Sequence, residues 1–179
     1  MLLLESSGVK TKTNRSNIMS FEKAEWIWIS EKDYPEYQFS NESIICPVEE
    51  KKYKYCVAEF KKEFFVSGSV KSAQIDIFAD TKFRLSLNGK VIGVGPVNNG
   101  GDFITHHSLS KCYYSTYVLE LMQGKNELMI EVQLTPRVLT ETSRGRGGLI
   151  AECAIEYQNG TWNTVFTDSS WLARRNTAR

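Results

Sequence analysis

One dipeptide, Asn88-Gly89, constrains the fold of this chain more than any other short feature of its sequence. It lies between a run of alternating apolar residues, 83–87, and a short, mostly apolar run, 90–94. A two-residue type I′ turn requires a positive φ at both central positions, which Asn and Gly adopt at the lowest steric cost. The pattern therefore predicts a tight β-hairpin, in which Asn88 and Gly89 serve backbone geometry alone.

Alternation with a period of two continues on both sides of this hairpin, as half-buried strands require. It predicts strands at 25–29, 55–66, 73–79, 114–119, 128–134, 149–157 and 162–166. Asn159-Gly160 predicts a second hairpin turn between the last two of these strands. About eight strands with turn signals between them, and no sustained helical period, indicate an all-β fold, either an antiparallel β-sandwich or a barrel.

The charge and hydropathy of the chain argue against a nucleic-acid or membrane partner. Its 179 residues carry 22 Lys and Arg against 21 Asp and Glu, a formal net charge of +1. Such a balance creates no field that would gather polyanions or an anionic bilayer. No apolar run has the length of a signal peptide or a membrane span, so a cytoplasmic location is favoured over export.

The four cysteines, Cys46, Cys56, Cys112 and Cys153, lie far apart, and the only histidines are the adjacent pair at 106–107. Neither pattern has the ligand spacing of a zinc site. Four cysteines allow two disulfides, but a chain of this length can bury a core without them. Free thiols that pack as small apolar groups are therefore the favoured interpretation.

The chain divides into a leader, one domain and a tail. Residues 1–20 are polar and without periodicity, which predicts a disordered leader or an expression remnant. Residues 21–175 are expected to form a single β-sandwich domain, followed by a C-terminal tail at 176–179. Trp26 and Trp28 alternate with isoleucines, so we expect their strand inside the core.

Several motifs occur in an order that is similar to one family of enzymes. They are AEWIW at 24–28, LNGKVIGVGP at 87–96, GKNE at 124–127, GRGGL at 145–149 and TDSSW at 167–171. This set resembles the N-terminal β-sandwich domains of bacterial α-L-rhamnosidases. A shorter pattern, NG-x-x-V-G, also resembles the N-terminal jelly roll of β-galactosidase-type hydrolases, but the flanking segments favour the rhamnosidases.

The resemblance implies a galactose-binding-like jelly roll that acts as a non-catalytic accessory domain of a glycoside hydrolase. Its partner would be the catalytic (α/α)-barrel of the same parent protein, and the barrel would carry the two carboxylates that hydrolyse the glycosidic bond. A rhamnose-containing carbohydrate is the expected ligand class. The alternative is a self-sufficient carbohydrate-binding module that binds its sugar with the help of Ca²⁺.

Two predicted loops hold the candidate sugar-binding residues. Asn98, Asn99 and Asp102 offer amide and carboxylate oxygens, which suit sugar hydroxyls or a Ca²⁺ ion at Asp102. Arg144 and Arg146 lie between glycines and suit either a carboxylate of an acidic polysaccharide or a neighbouring domain. We favour the docking role for the two arginines, and a loop-shaping role for the asparagines is the simpler alternative.

Other strand residues invite a functional interpretation. The four tryptophans are candidates for a sugar-stacking platform, because aromatic rings match the apolar faces of sugars, although core packing is the favoured role of Trp26 or Trp28. They are Trp26, Trp28, Trp162 and Trp171. Glu131 and Glu152 invite a glycosidase interpretation, which needs a pair of carboxylates. The polar face of an antiparallel strand is usually just hydrated, so we predict no catalytic residue in this chain. We also predict no metal, apart from the candidate Ca²⁺ at Asp102.

Overall fold

The computed structural model describes residues 3–6, 21–29, 56–80, 82–96, 111–134 and 147–177 of the chain. The strands in these ranges are β1 (Leu3–Ser6), β2 (Cys56–Val66), β3 (Val70–Asp80), β4 (Lys82–Leu87), β5 (Lys90–Pro96), β6 (Lys111–Val118), β7 (Gly124–Leu134), β8 (Gly148–Tyr157), β9 (Trp162–Phe166) and β10 (Leu172–Arg175). The described residues include no helix, and thus none long and apolar enough to cross a membrane.

The strands form two five-stranded sheets. Sheet I has the order β1-β6-β3-β8-β9, and sheet II has the order β10-β2-β7-β4-β5. Neighbouring strands are antiparallel, except that β1 and β6 run parallel. The predicted all-β antiparallel sandwich is therefore confirmed.

One hydrophobic core lies between the sheets. Ile75 and Ile77 of β3 enter it from sheet I, and Phe60 of β2 and Leu85 of β4 enter it from sheet II; all four are fully buried. Because successive side chains of a strand point to opposite faces, the residues between them point away from the core. Each sheet therefore also has an outer face that points away from the core.

Two of the four thiols lie in this core. Cys56 and Cys153 are buried and free, which confirms the free-thiol interpretation for both. Burial raises the pKa of Cys153 to about 12, and the Asp76 carboxylate adds to the rise. Cys153 is therefore protonated and unreactive at neutral pH. Cys46 and the side chain of Cys112 lie outside the described part of the chain.

The hairpin predicted at Asn88-Gly89 is confirmed. Asn88 and Gly89 have φ values of 50° and 79°, as a type I′ turn requires. The Asn88 side chain also does more than the sequence predicts, because its Oδ1 accepts a hydrogen bond of 2.8 Å from the backbone N–H of Glu127. Its amide Nδ2 donates to Oδ1 of Asn126 at 3.0 Å. The turn is thus attached to the start of β7.

Asn126 is the buried centre of this attachment. Besides the bond from Asn88, its Oδ1 accepts from the backbone N–H of Met122 at 3.0 Å. Its Nδ2 donates to the carbonyl oxygens of Met122 at 2.7 Å and Gly124 at 3.2 Å. The side-chain amide thereby uses two donors and two acceptor positions, which is its full capacity. It holds together the turn, the 119–123 connection and β7.

The strand predicted at 25–29 is not formed. Ile27 makes a single antiparallel bridge to Leu149, with N···O distances of 2.9 and 3.0 Å. Glu25 adds one backbone hydrogen bond, from its N–H to the carbonyl of Thr167 at 2.7 Å. Alternation inside the segment therefore does not place its residues on two faces of a sheet.

The two tryptophans of this segment consequently point to different places, which corrects the expectation that both lie in the core. Trp26 is 47% exposed and packs edge-on against Phe78 on the outer face of sheet I, with ring centroids 5.4 Å apart. Trp28 is half-buried and lies 5.7 Å from the ring of Phe60 in the core. Only Trp28 fits the predicted position.

The structure contains two edge strands that the sequence pattern does not predict. β1 pairs with β6 inside the stretch for which the sequence predicts a disordered leader, and the other residues of 1–20 lie outside the described ranges. β10 pairs with β2 after Trp171. Edge strands form by backbone hydrogen bonds along one side only and bury few side chains, so they need no apolar alternation.

We predict that Asn126→Ala destabilises the protein by about 2–4 kcal/mol, because buried backbone groups lose their partners. Urea unfolding followed by fluorescence measures this loss. The control is Asn163→Ala, at an exposed position on β9, which should change the free energy of unfolding by less than about 0.5 kcal/mol. Equal stability of the two variants would contradict the role assigned to Asn126.

Candidate functional site

The loop residues predicted to bind sugar, dock a neighbouring domain or hold Ca²⁺ all lie outside the described ranges. They are Asn98, Asn99, Asp102, Arg144 and Arg146. The two histidines lie outside these ranges as well. Their roles stay predictions, and the candidate site is built from the two outer faces of the sandwich.

The carboxylates Glu131 and Glu152 lie on opposite sides of the molecule. Glu131 is on the outer face of sheet II, where it pairs with Arg84 of the neighbouring strand. Glu152 is on the outer face of sheet I, directly opposite Asp76. Because the core separates them, Glu131 and Glu152 do not flank one glycosidic bond as a glycosidase pair must.

The outer face of sheet II carries charged side chains that are paired with one another, beside exposed apolar residues such as Phe65 and Leu172. Lys61 bonds to Glu127 at 2.6 Å and to Glu63 at 3.3 Å, and Lys125 bonds to Glu63 at 2.8 Å. Such exposed pairs add little stability, because water and salt screen the attraction between their charges. They leave no concentrated charge of one sign along these strands to attract a ligand.

The outer face of sheet I carries a different arrangement at one end. Ser72 of β3, Glu156 of β8 and Trp162 of β9 are directly opposite one another across three neighbouring strands. Lys71 reaches the same carboxylate from beside a register shift in β3. We call these four residues the Trp162 surface.

The carboxylate of Glu156 is held at both oxygens. Lys71 Nζ donates to Oε1 at 2.8 Å, and Ser72 Oγ donates to Oε2 at 3.0 Å. Trp162 beside it is 45% exposed. An oriented carboxylate next to an exposed indole ring can accept hydrogen bonds from hydroxyls while the ring packs against an apolar surface. The surface therefore has the chemistry of a sugar site.

Sequence reasoning named Trp162 as a candidate platform but missed its three neighbours. The hairpin predicted at Asn159-Gly160 was enough to identify Glu156 as the cross-strand neighbour of Trp162. The structure forms this hairpin with Gly160 at φ 81° and a hydrogen bond from Tyr157 N–H to Thr161 O. That closure places Glu156 opposite Trp162. The pairing with Ser72 depends on a distant strand and has no local signal.

A second feature of the same face is a pair of buried carboxylates. Asp76 and Glu152 are 3% and 7% exposed and directly opposite each other. Thr116 Oγ1 donates to Oδ1 of Asp76 at 2.6 Å, and the backbone of Lys23 hydrogen-bonds to Glu152. Among the described residues, Oε2 of Glu152 has no hydrogen-bond partner.

The environment of Glu152 favours its neutral form. Burial raises the pKa of this carboxyl group and outweighs the hydrogen bond from the Lys23 backbone, which lowers it. The carboxylates of Asp76 and Glu22 add to the rise, because like charges disfavour ionisation. The pair can thus accept a proton more readily than an exposed glutamate.

The segment at 21–29 lies across part of this face. Phe21 packs edge-on against Tyr114 of β6, with ring centroids 5.5 Å apart. The hydroxyl of Thr167 donates to the carbonyl of Glu25 at 2.7 Å. These contacts bring the backbone of Lys23 to Glu152 and explain why the pair is buried.

Metal binding has no support in the described part of the chain. Within it, no group of three or more His, Cys, Asp or Glu side chains is arranged to hold a metal ion. Asp102, the predicted Ca²⁺ ligand, is not among the described residues.

No family model matches the chain, and no curated protein matches it in sequence. Solved structures do match. The GH78 family rhamnosidase of Bacillus sp. GL1 is 27% identical with a TM-score of 0.58, over 86% of this chain and 13% of that one. The α-L-rhamnosidase of Streptomyces avermitilis, in complex with L-rhamnose, is 21% identical with a TM-score of 0.53, over 66% and 12%.

A lectin has a similar fold. The Pleurotus ostreatus lectin is 22% identical with a TM-score of 0.58, over 88% of this chain and 36% of its own. The chain therefore matches about a third of the lectin and about an eighth of the rhamnosidases. The predicted resemblance to a β-sandwich domain of α-L-rhamnosidases is confirmed, and the lectin shares the fold.

The Asp76–Glu152 pair makes a pH-dependent prediction. A raised pKa in the folded state means that folding retains a proton, so stability falls as the pH rises from the ordinary glutamate pKa through the raised value. Glu152→Gln removes this dependence and should be more stable than the wild type at neutral pH by about 1–2 kcal/mol. The difference should shrink toward pH 4.

Urea unfolding at a series of pH values from about pH 4, near the ordinary glutamate pKa, to about pH 8 measures this dependence. Glu120→Gln makes the same chemical change at an exposed position, and its stability should follow the wild type at every pH. If Glu152→Gln also followed the wild type at every pH, the assigned environment of Glu152 would be wrong.

Proposed function

We propose that this chain is a non-catalytic accessory domain of an α-L-rhamnosidase-like glycoside hydrolase. The observation that carries the proposal is the match to the Bacillus sp. GL1 rhamnosidase, which covers 86% of this chain but only 13% of the enzyme. A fold that makes up so small a part of an enzyme suits a supporting domain. The proposed partner is the catalytic (α/α)-barrel of the same parent protein.

The positions of the acidic residues favour an accessory role over a catalytic one. Glu131 and Glu152 belong to opposite faces, and the adjacent Asp76 and Glu152 are buried side by side. Directly opposed residues of neighbouring strands have Cβ atoms about 4.5–5.5 Å apart, with no room for a sugar between their strands. Catalysis by a carboxylate pair needs an open cleft in which one sugar lies between the two groups.

A second candidate function is a self-sufficient carbohydrate-binding module. The Trp162 surface favours it, because an exposed indole ring beside an oriented carboxylate suits sugar binding without a second domain. In the version that the sequence suggests, Asn98, Asn99 and Asp102 bind the sugar with Ca²⁺. The two candidate functions are compatible, since an accessory domain can also hold substrate.

We predict that the purified chain does not hydrolyse an aryl α-L-rhamnoside, whereas a parent protein that joins this domain to a catalytic barrel does. Release of the aryl group, followed by absorbance, measures both activities. Turnover that scales with the concentration of this chain and is lost in Glu152→Gln would contradict the accessory role, because Glu152 would then belong to a reaction centre.

A further inference from the structure

The first residues of the 21–29 segment lie over the buried carboxyl group of Glu152. Glu152 belongs to β8, which is fixed between β3 and β9 in sheet I, and it is only 7% exposed on the outer face of that sheet. The backbone of Lys23 hydrogen-bonds to it. Because β8 has a neighbour on each side, the covering residues 21–24 are the part that can move away from this carboxyl group. We call residues 21–24 the arm.

Two backbone connections fix the segment just after the arm. Glu25 bonds to Thr167 through both its N–H and its carbonyl oxygen. Ile27 forms two backbone hydrogen bonds with Leu149. The arm can therefore separate from sheet I while the remainder of the segment stays bound.

Phe21 anchors the arm, and its backbone is strained. The side chain is 9% exposed and packs edge-on against the ring of Tyr114. The backbone φ is 52°, in the left-handed region, where a bulky side chain persists only when its surroundings impose the conformation. Opening the arm relieves this strain, which offsets part of the packing that is lost.

The carboxyl group under the arm is poorly placed to carry a charge. Its Oε2 atom is buried and has no hydrogen-bond partner among the described residues, and burial raises the pKa of the group. An ionised carboxylate needs hydrogen bonds to both oxygens, and water can supply them only if the arm moves away. Ionisation of Glu152 and closure of the arm therefore oppose each other.

The charges that face Glu152 come from β3 and from the arm. Asp76 of β3, directly opposite, and Glu22 of the arm disfavour its ionisation, whereas Lys23 of the arm favours it. On the other side, β9 places the uncharged Phe166 opposite Glu152. Burial has the largest effect on the pKa, so the net direction is upward. Opening the arm removes this burial and takes the charges of residues 22 and 23 away together.

We propose that the arm is a pH-dependent latch on sheet I, closed while Glu152 is protonated and opened when this carboxyl group ionises beside Asp76. A raised pKa in the closed form means that closure is most stable below the ordinary glutamate pKa and weakens as the pH rises through the raised value. Opening exposes the carboxylate pair and the ring of Tyr114. The inference concerns residues 21–24 and does not rest on the proposed function.

Hydrogen exchange of the full chain, followed by mass spectrometry on peptides that contain the arm, tests the latch. Exchange is measured between about pH 5 and pH 8 and corrected for the pH dependence of the chemical exchange rate. We expect the corrected protection of the arm to fall at least about threefold over this range, because opening is coupled to loss of the proton.

Urea at concentrations below the unfolding transition separates local opening from unfolding of the domain. Opening of four residues exposes little surface, so urea should leave the protection of the arm unchanged. The same urea should accelerate exchange in peptides from β3 and β8, which become accessible only when the sheets unfold. These peptides also report whether each variant has intact sheets.

Two variants and one matched control assign the latch to its residues. Glu152→Gln cannot ionise, so the corrected protection of the arm should no longer depend on pH. Glu120→Gln makes the same change at an exposed position and should behave as the wild type. Phe21→Ala should open the arm and, by reciprocity, lower the pKa of Glu152 toward its ordinary value, which a titration of the carboxyl ¹³C shift measures.

Four results would overturn the proposal. They are a corrected protection of the arm that does not change with pH, a pH dependence that Glu152→Gln retains, exchange of the arm that accelerates with urea as steeply as that of β8, and an unchanged pKa of Glu152 in folded Phe21→Ala. None of them affects the accessory role, which the hydrolysis assay tests separately.

Discussion

The hydrogen bond between Asn88 and Asn126 is the interaction on which sheet II depends. It joins the tightest turn of the chain to the first residues of β7, and β7 in turn pairs with both β2 and β4. Asn126 is 1% exposed, whereas Asn88 is exposed, so the bond anchors a surface turn to a buried amide. With this register, the apolar residues of β4 and β7 enter the core and their charged residues face outward.

Sheet I uses its outer face differently. Sheet II pairs its outer charges with one another, whereas sheet I brings two carboxylates together at Asp76 and Glu152 and covers them with the 21–29 segment. At the end of the same face, Glu156 is oriented beside the exposed Trp162. The fold thus places the buried carboxylate pair and the oriented carboxylate of Glu156 on one face of the sandwich.

Features with a local cause could be predicted from the sequence. The turn at Asn88-Gly89, the inner strands and the two-layer architecture follow from backbone sterics and a period of two. Features that depend on the pairing of distant strands could not be predicted from the sequence. The pairing of Ser72 with Glu156, the burial of Asp76 against Glu152 and the divergence of the two tryptophans at 25–29 are set by register between strands far apart in sequence. The loop residues predicted to bind sugar lie outside the described ranges and stay predictions.

A double-mutant cycle on Asn88→Ala and Asn126→Ala tests the central interaction most directly, because it isolates the energy that the two side chains share. Urea unfolding of the two single variants, the double variant and the wild type gives the four free energies. The structure predicts a coupling of about 1 kcal/mol between the two amides, the usual net contribution of an intramolecular hydrogen bond. Strict additivity of the two single losses would contradict a turn held to β7 through Asn126.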